Sequence, residues 1–105
     1  MTEPFDETIH APNRLRICAF LDATDSTEFG VLRNVLGVAD SVLSKHVKVL
    51  QEAGYVDISK PTGRGRVKTW VSLTKDGKAA YRQHVAALKA IFESPGQPND
   101  TARPS

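Results

Sequence analysis

The feature that constrains the fold most strongly is an amphipathic segment that ends at a glycine. It is followed directly by two segments in which apolar and polar residues alternate. Leu43, Val47 and Leu50 recur at i, i+4 and i+7, the spacing of one buried helix face. Gly54 follows and suits the left-handed position at which helices end. The pattern predicts a helix over about residues 41–53 with one buried and one exposed side.

Two segments after this helix have the period of β-strands. Residues 55–60 and 67–73 alternate apolar and polar side chains, and the Pro- and Gly-containing stretch 61–66 separates them. Alternation bounded by turn residues is typical of half-buried strands. We therefore predict an antiparallel hairpin with a basic tip.

The rest of the chain is predicted to form helices with short connections. Pro12 suits the first turn of a helix that runs to about Asp22, and Phe29 is expected in a very short strand before Gly30. The next helix is expected to use Val31 and Val35 as its apolar face. Leu32 and Leu36 are further candidates for that face, and Gly37 ends the helix.

Two polar residues are expected to cap helices. Asp40 is predicted to cap the helix over 41–53 through its carboxylate, and Thr74 is predicted to cap a final helix over about 75–92. The order α-(β)-α-α-β-β-α is mainly α with a small β-hairpin, the winged helix-turn-helix arrangement. We expect an N-terminal arm (1–9), one domain (10–92) and a disordered tail (93–105).

Charge is unevenly distributed along the chain. Residues 1–43 carry three basic and seven acidic groups, a net of −4, whereas residues 44–78 carry eight basic and three acidic groups, a net of +5. A basic middle third favours a polyanionic partner, with a solvated face as the alternative. The sequence offers no membrane span and no signal peptide, so we expect a cytoplasmic protein.

Three segments carry a family resemblance. LSKHVKVLQEAGYV (43–56), HAPNRLRI (10–17) and LTKDGKAA (73–80) resemble the small single-domain MarR-like winged helix regulators, of the MarR and ArsR groups, over roughly residues 9–92. The resemblance implies a homodimeric regulator, most simply a repressor, that binds double-stranded DNA at an inverted repeat.

The residues that form the metal sites of those groups have no counterpart in this sequence. Cys18 is the single cysteine, and His10, His46 and His84 are scattered without ligand spacing, so we expect neither a metal site nor a cofactor. Full-length MarR proteins enclose a ligand pocket with longer terminal helices. Whether this chain has a small-molecule effector stays open.

The resemblance and the helical wheel together select the residues that would touch DNA. An α-helix fits the major groove, and a wing reaches the backbone or the minor groove, where arginine is favoured. Each lysine has two interpretations, a DNA contact or simple solvation. The predicted DNA-binding residues are Ser41, Val42, Ser44, Lys45 and Lys48 on the helix and Lys60, Arg64, Arg66 and Lys68 on the wing.

The final helix carries two neighbouring apolar rows, Tyr81-Val85-Leu88-Phe92 and Ala80-His84-Ala87-Ile91. One row can cover the core, which leaves the other for a partner helix; the alternative is a single wide core-facing stripe. The residues predicted for a dimer interface are Tyr81, His84, Val85, Leu88, Ile91 and Phe92.

The alternatives to DNA binding are an interaction module and an enzyme. A winged helix that binds only protein would present an acidic or apolar surface in place of these lysines and arginines. No catalytic residues are predicted, because the sequence shows no Ser/His/Asp set, phosphate loop or paired carboxylates. His46 and Trp70 are both expected to be packing residues; the alternatives are a DNA contact for His46 and a stacking platform for single strands for Trp70.

Overall fold

A computed structural model describes residues 6–60 and 68–93. Their elements, in chain order, are α1 (Glu7–His10), α2 (Pro12–Asp22), β1 (Thr27–Glu28), α3 (Phe29–Leu36), α4 (Asp40–Glu52), β2 (Val56–Ser59), β3 (Trp70–Leu73) and α5 (Lys75–Glu93). Apart from α1, every element matches a predicted one, and the mainly helical winged helix architecture is confirmed.

The three strands form one antiparallel sheet with β3 in the middle. Val71 lies opposite Thr27 of β1 and opposite Ile58 of β2, and its side chain is fully buried. The hairpin pairing is confirmed, although its turn, residues 61–66, lies outside the described residues. The short strand ends at Glu28, so Phe29 is not in it as predicted; Phe29 begins α3, and its N–H donates to the carbonyl oxygen of Thr69 at 2.8 Å.

The core lies between the helices and one face of the sheet. Helices α2, α3 and α4 each contribute side chains that water barely reaches, and the sheet closes the core from one side. Its members are Ile9, Ile17, Cys18, Leu21, Leu32, Leu36, Leu43, Val47, Leu50, Val56 and Val71. The predicted buried face of α4 is therefore confirmed.

The buried face of α3 differs from the main expectation. Leu32 and Leu36 are in the core, whereas Val31 and Val35 are 46% and 48% exposed. Both pairs have the i, i+4 spacing of one helix face, and they lie about 100° apart around the helix. The leucine pair is the one that α3 turns toward the core.

Gly37, Gly54 and Thr74 mark the ends and the beginning of helices as predicted, and Asp40 does not. Gly37 and Gly54 have φ values of +70° and +83°, and the Thr74 hydroxyl accepts a hydrogen bond from the N–H of Gly77 at 2.9 Å. Asp40, however, does not cap α4. Ala39 occupies the cap position without a side-chain bond, while Asp40 lies in the first turn and pairs with Arg33 at 2.8 Å.

Helix α1 was not foreseen in the stretch assigned to an arm. The carboxylate of Asp6 accepts a hydrogen bond from the N–H of Ile9 at 3.1 Å and so caps this single turn. Ile9 is fully buried, and α1 packs against α2, α4 and α5. Within the described residues, no helix is both long and apolar enough to span a membrane.

Candidate nucleic-acid interface

Helix α4 presents all of its predicted DNA-facing residues to solvent. Its buried side chains anchor one face of the helix in the core, and the opposite side is therefore held outward by packing. The exposed residues on that side include Ser41, Val42, Ser44, Lys45 and Lys48. Two hydroxyls and two ammonium groups provide donors and acceptors on a surface the size of the major groove.

A groove of about 640 Å³ separates α4 from the sheet. Ser44, Lys48 and Gln51 line it from α4, and Lys60 lines it from the end of β2. The other lining residues are Phe29, Val47, Ile58 and Thr69. The fold thus brings Lys48 and Lys60, which are distant in sequence, to the two sides of one groove.

The hairpin continues this surface. Lys68, which precedes β3, is exposed, whereas Arg64 and Arg66 lie outside the described residues. Within the described part of the chain, the ion pairs are Arg33–Asp40, Lys78–Asp22 and Arg82–Asp22. None of them uses Lys45, Lys48, Lys60 or Lys68. Within the described residues, therefore, no ion pair with a carboxylate neutralises the lysines of this face.

His46 is a packing residue of α4, as expected. Its Nδ1 accepts a hydrogen bond from Nη1 of Arg14 at 3.2 Å, and Nε of Arg14 donates to the carbonyl oxygen of Thr8. Burial lowers the pKa of His46, and the positive charges of Arg14 and Lys45 lower it further. His46 therefore holds α4 to α2 as a neutral ring.

Trp70 is half-buried and lies on the side of the sheet opposite to the buried Val71. It lines a shallow depression together with Phe20 of α2 and Val31 of α3. This position agrees with the predicted packing role.

The exposed end of α5 is apolar. Tyr81, Val85 and Leu88 are half-buried, while Ile91 and Phe92 are 54% and 80% exposed. His84 is 0% exposed and belongs to the interior of the chain's own fold, so its place in the predicted dimer surface is corrected. The other five residues stay a prediction.

Two of the histidines that looked scattered meet in the structure. Nδ1 of His10 and Nε2 of His84 are 3.1 Å apart, and the N–H of Asp6 donates to Nδ1 of His84 at 3.0 Å. The Tyr55 hydroxyl donates to the carboxylate of Asp6 at 2.6 Å. The sequence signal for this cluster was a histidine within an apolar row of α5.

Neither Cys18 nor this cluster has the makeup of a metal site. Among residues 6–60 and 68–93, no group of three or more His, Cys, Asp or Glu side chains is placed to hold a metal ion. Burial raises the pKa of the Cys18 thiol to about 12, and the charge of Asp6 adds to the effect. Cys18 is therefore a neutral core residue.

Comparisons with known proteins agree with this architecture. Residues 13–92 match the family of winged helix DNA-binding domains. The uncharacterized protein MJ0432 of Methanocaldococcus jannaschii is 35% identical over 81 residues, which cover 77% of this chain and 88% of that protein. A transcriptional regulator homologue from Pyrococcus horikoshii OT3 has a TM-score of 0.82 at 26% identity, over 88% of this chain and 91% of that one.

Winged helix regulators of the MarR family share the fold. ZitR of Lactococcus lactis, a zinc-responsive MarR family member, superposes with a TM-score of 0.63 at 21% identity, over 90% of this chain and 64% of its own. The chain belongs to the winged helix DNA-binding domain family. It shares its fold with ZitR and with the transcriptional regulator homologue from Pyrococcus horikoshii OT3.

Proposed function

We propose that this protein is a sequence-specific regulator that binds double-stranded DNA as a homodimer, with α4 in the major groove. The observation that carries the proposal is the groove in which Lys48 of α4 faces Lys60 of the hairpin. A phosphate chain passing the end of α4 would meet both ammonium groups, while Ser41, Ser44 and Lys45 point to the base edges. Phosphate contacts position a protein on DNA, and base contacts give it specificity.

The wing extends the same surface along the duplex. We assign residues 60–68 to the DNA backbone or the minor groove, with Arg64 and Arg66 at the tip and Lys68 beside β3. The support is the strand register: Ser59 pairs with Trp70, so Lys60 and Lys68 leave the sheet at the same end, next to the groove. A regulator of this kind works where the DNA is, which we propose is the cytoplasm.

Dimerisation is proposed through the end of α5. Ile91 and Phe92 are large apolar side chains that the chain's own core leaves exposed, and Tyr81, Val85 and Leu88 continue the surface toward the body. A two-fold dimer would set the two α4 helices to read half-sites about 34–36 Å apart, which requires an inverted repeat. Repression is the simplest action, since a bound dimer can exclude other proteins from the DNA by its presence alone.

One experiment tests DNA binding, symmetry and specificity together. The purified protein is used to select duplexes from a random pool, and the recovered sequences are examined for an inverted repeat. Binding to the selected duplex is then measured by fluorescence anisotropy between 50 and 200 mM salt for the wild type and for K45A, K48A and K60A. Recovery of no duplex above background would reject the proposal and favour a module that binds proteins only.

Salt dependence distinguishes the roles of the lysines. A lysine that contacts phosphate contributes about 0.9 to the slope of log affinity against log salt, so its loss from both protomers should reduce the slope by about 2. K75A is the matched control, because Lys75 is exposed and follows the Val56–Leu73 pair, at the opposite end of the hairpin. If K75A reduced the salt slope as much as K48A does, the placement of α4 in the DNA interface would be contradicted.

A further inference from the structure

Helix α4 carries one apolar side chain that lies outside the core. Leu43, Val47 and Leu50 are buried and Val49 is half-buried, whereas Val42 is 36% exposed. Among the described side chains, Val42 belongs neither to the core cluster nor to the half-buried apolar residues that pack against that cluster. Burial in the fold therefore does not account for a valine at this position.

The place of Val42 along the helix does not favour valine either. The cap residue of α4 is Ala39, so Val42 is the third helical residue, where a carboxylate or amide side chain would stabilise the start of the helix. A β-branched side chain also has a lower helix propensity than an unbranched one. Neither core packing nor helix stability explains this valine, and its position on the exposed side of α4 suggests a contact with the ligand.

Val42 lies at the end of α4 that would read bases in the proposed complex. In helix-turn-helix proteins, the N-terminal residues of the recognition helix contact base edges. At 100° per residue, Val42 lies about 60° from Lys45 and about 120° from Lys48 around the helix. It is therefore on the flank of the exposed side away from the groove that faces the hairpin. Asp40, the acidic residue of this turn, pairs with Arg33 at 2.8 Å, which reduces its repulsion of DNA.

A valine side chain can distinguish thymine from the other bases. It has no donor or acceptor, and the 5-methyl group of thymine is the one apolar group that the bases present in the major groove. Beside any other base edge, Val42 would displace water from a polar group without replacing the lost hydrogen bond. We propose that Val42 contacts the 5-methyl group of one thymine in each half-site. This inference rests on the proposed function, with α4 in the major groove.

The proposed contact depends on the methyl group and not on the rest of the base. Deoxyuridine differs from thymidine by the absence of this group, and 5-methylcytosine carries a methyl group at the same ring position. Burial of one methyl group corresponds to about a fourfold gain in affinity, and to roughly fifteenfold when both half-sites gain it. The regulator should therefore prefer 5-methylcytosine to unmodified cytosine at the position that Val42 contacts.

The test uses the full chain and the duplex selected from the random pool. Each thymine of the half-site is replaced in turn by deoxyuridine, in both half-sites at once, and the dissociation constant is measured by fluorescence anisotropy. At one thymine, we expect the affinity of the wild type to fall roughly fifteenfold. V42A should bind the thymine and deoxyuridine duplexes with similar affinity. At the same position, 5-methylcytosine should bind the wild type more tightly than cytosine does, and V42A should not distinguish them.

V35A is the matched control, because Val35 is also an exposed valine but lies on α3, beside Arg16 and Phe20 of α2. It should keep the wild-type response to deoxyuridine. Alanine has a higher helix propensity than valine, so V42A should fold as the wild type does. The inference is overturned if no deoxyuridine substitution weakens a duplex that the wild type binds, or if V42A responds to deoxyuridine as strongly as the wild type. A wild type that binds no duplex would instead reject the proposed function itself.

Discussion

At Gly77 the backbone of α5 lies against the carbonyl group of Tyr55, and replacement of this glycine by alanine should be costly. A Cβ at this position would overlap the carbonyl oxygen of Tyr55 and lie 3.1 Å from Cδ2 of Leu73. The overlapping atom belongs to the backbone and also accepts the N–H of Thr74 at 2.9 Å, so it cannot swing away as a side chain would. The backbone of Gly77 itself is not in the left-handed region.

The magnitude follows from three opposing contributions. Overpacking against a fixed backbone costs about 2–3 kcal/mol, and disturbing the Thr74–Tyr55 hydrogen bond costs about 1 kcal/mol. Alanine gains about 1 kcal/mol over glycine in a helix. The free energy of unfolding of G77A should therefore be lower than that of the wild type by about 2–3 kcal/mol.

Gly30 provides the matched control in the same chain. It is also a helical glycine, but the atom nearest to a Cβ added there would be Nη2 of Arg33 at 3.9 Å, on a flexible side chain. G30A should thus raise stability by about 0.4–1 kcal/mol. Urea denaturation followed by far-ultraviolet circular dichroism, at one protein concentration, measures both variants. A G77A protein as stable as G30A would refute the close contact between α5 and Tyr55.

Three further substitutions test the packing by the same denaturation assay. Leu32→Ala should destabilise the protein by about 2–5 kcal/mol and Val35→Ala by less than about 0.5 kcal/mol, because of the two side chains only that of Leu32 is buried. Equal losses of stability would contradict the exposed position of Val35. Tyr55→Phe should cost about 1.5 kcal/mol through the lost bond to Asp6. Folding raises the pKa of Tyr55 to about 12, so the neutral tyrosine stabilises the folded state below pH 10 and this stabilisation is lost toward pH 12. Y55F should therefore lose less of its free energy of unfolding over that pH range than the wild type does.

The helices whose ends are marked by proline, glycine or a capping residue were predictable from the sequence. Pro12, Gly37, Gly54 and Thr74 act locally, through φ preference or a single capping bond, and they need no tertiary information to be recognised. The outward side of α4 was predictable for a related reason: once Leu43 and its partners are known to be buried, the helical period fixes which side chains point away.

The misplaced features are those that tertiary contacts decide. Helix α3 has only eight residues and carries two apolar pairs, Val31/Val35 and Leu32/Leu36, on adjacent faces. Both pairs have helical spacing, so the spacing alone does not show which pair is buried. Helix α1 exists because Asp6 caps it and Ile9 is buried. The cap is local, but the burial of Ile9 requires α1 to pack against α2, α4 and α5. The meeting of residues 10 and 84 requires that same docking, so sequence spacing could not show it.

The turn after α4 fixes the relation between α4, the hairpin and α5. Gly54 reverses the chain, and its carbonyl oxygen accepts the Thr74 hydroxyl at 2.7 Å, while the carbonyl oxygen of Tyr55 accepts the N–H of Thr74. The start of α5 is thereby tied to the end of α4 through two backbone acceptors. Since β2 leaves from the same turn, a shift there would change both the Lys48–Lys60 groove and the direction of α5. A dimer built on α5 would then carry that change to the spacing of its two α4 helices.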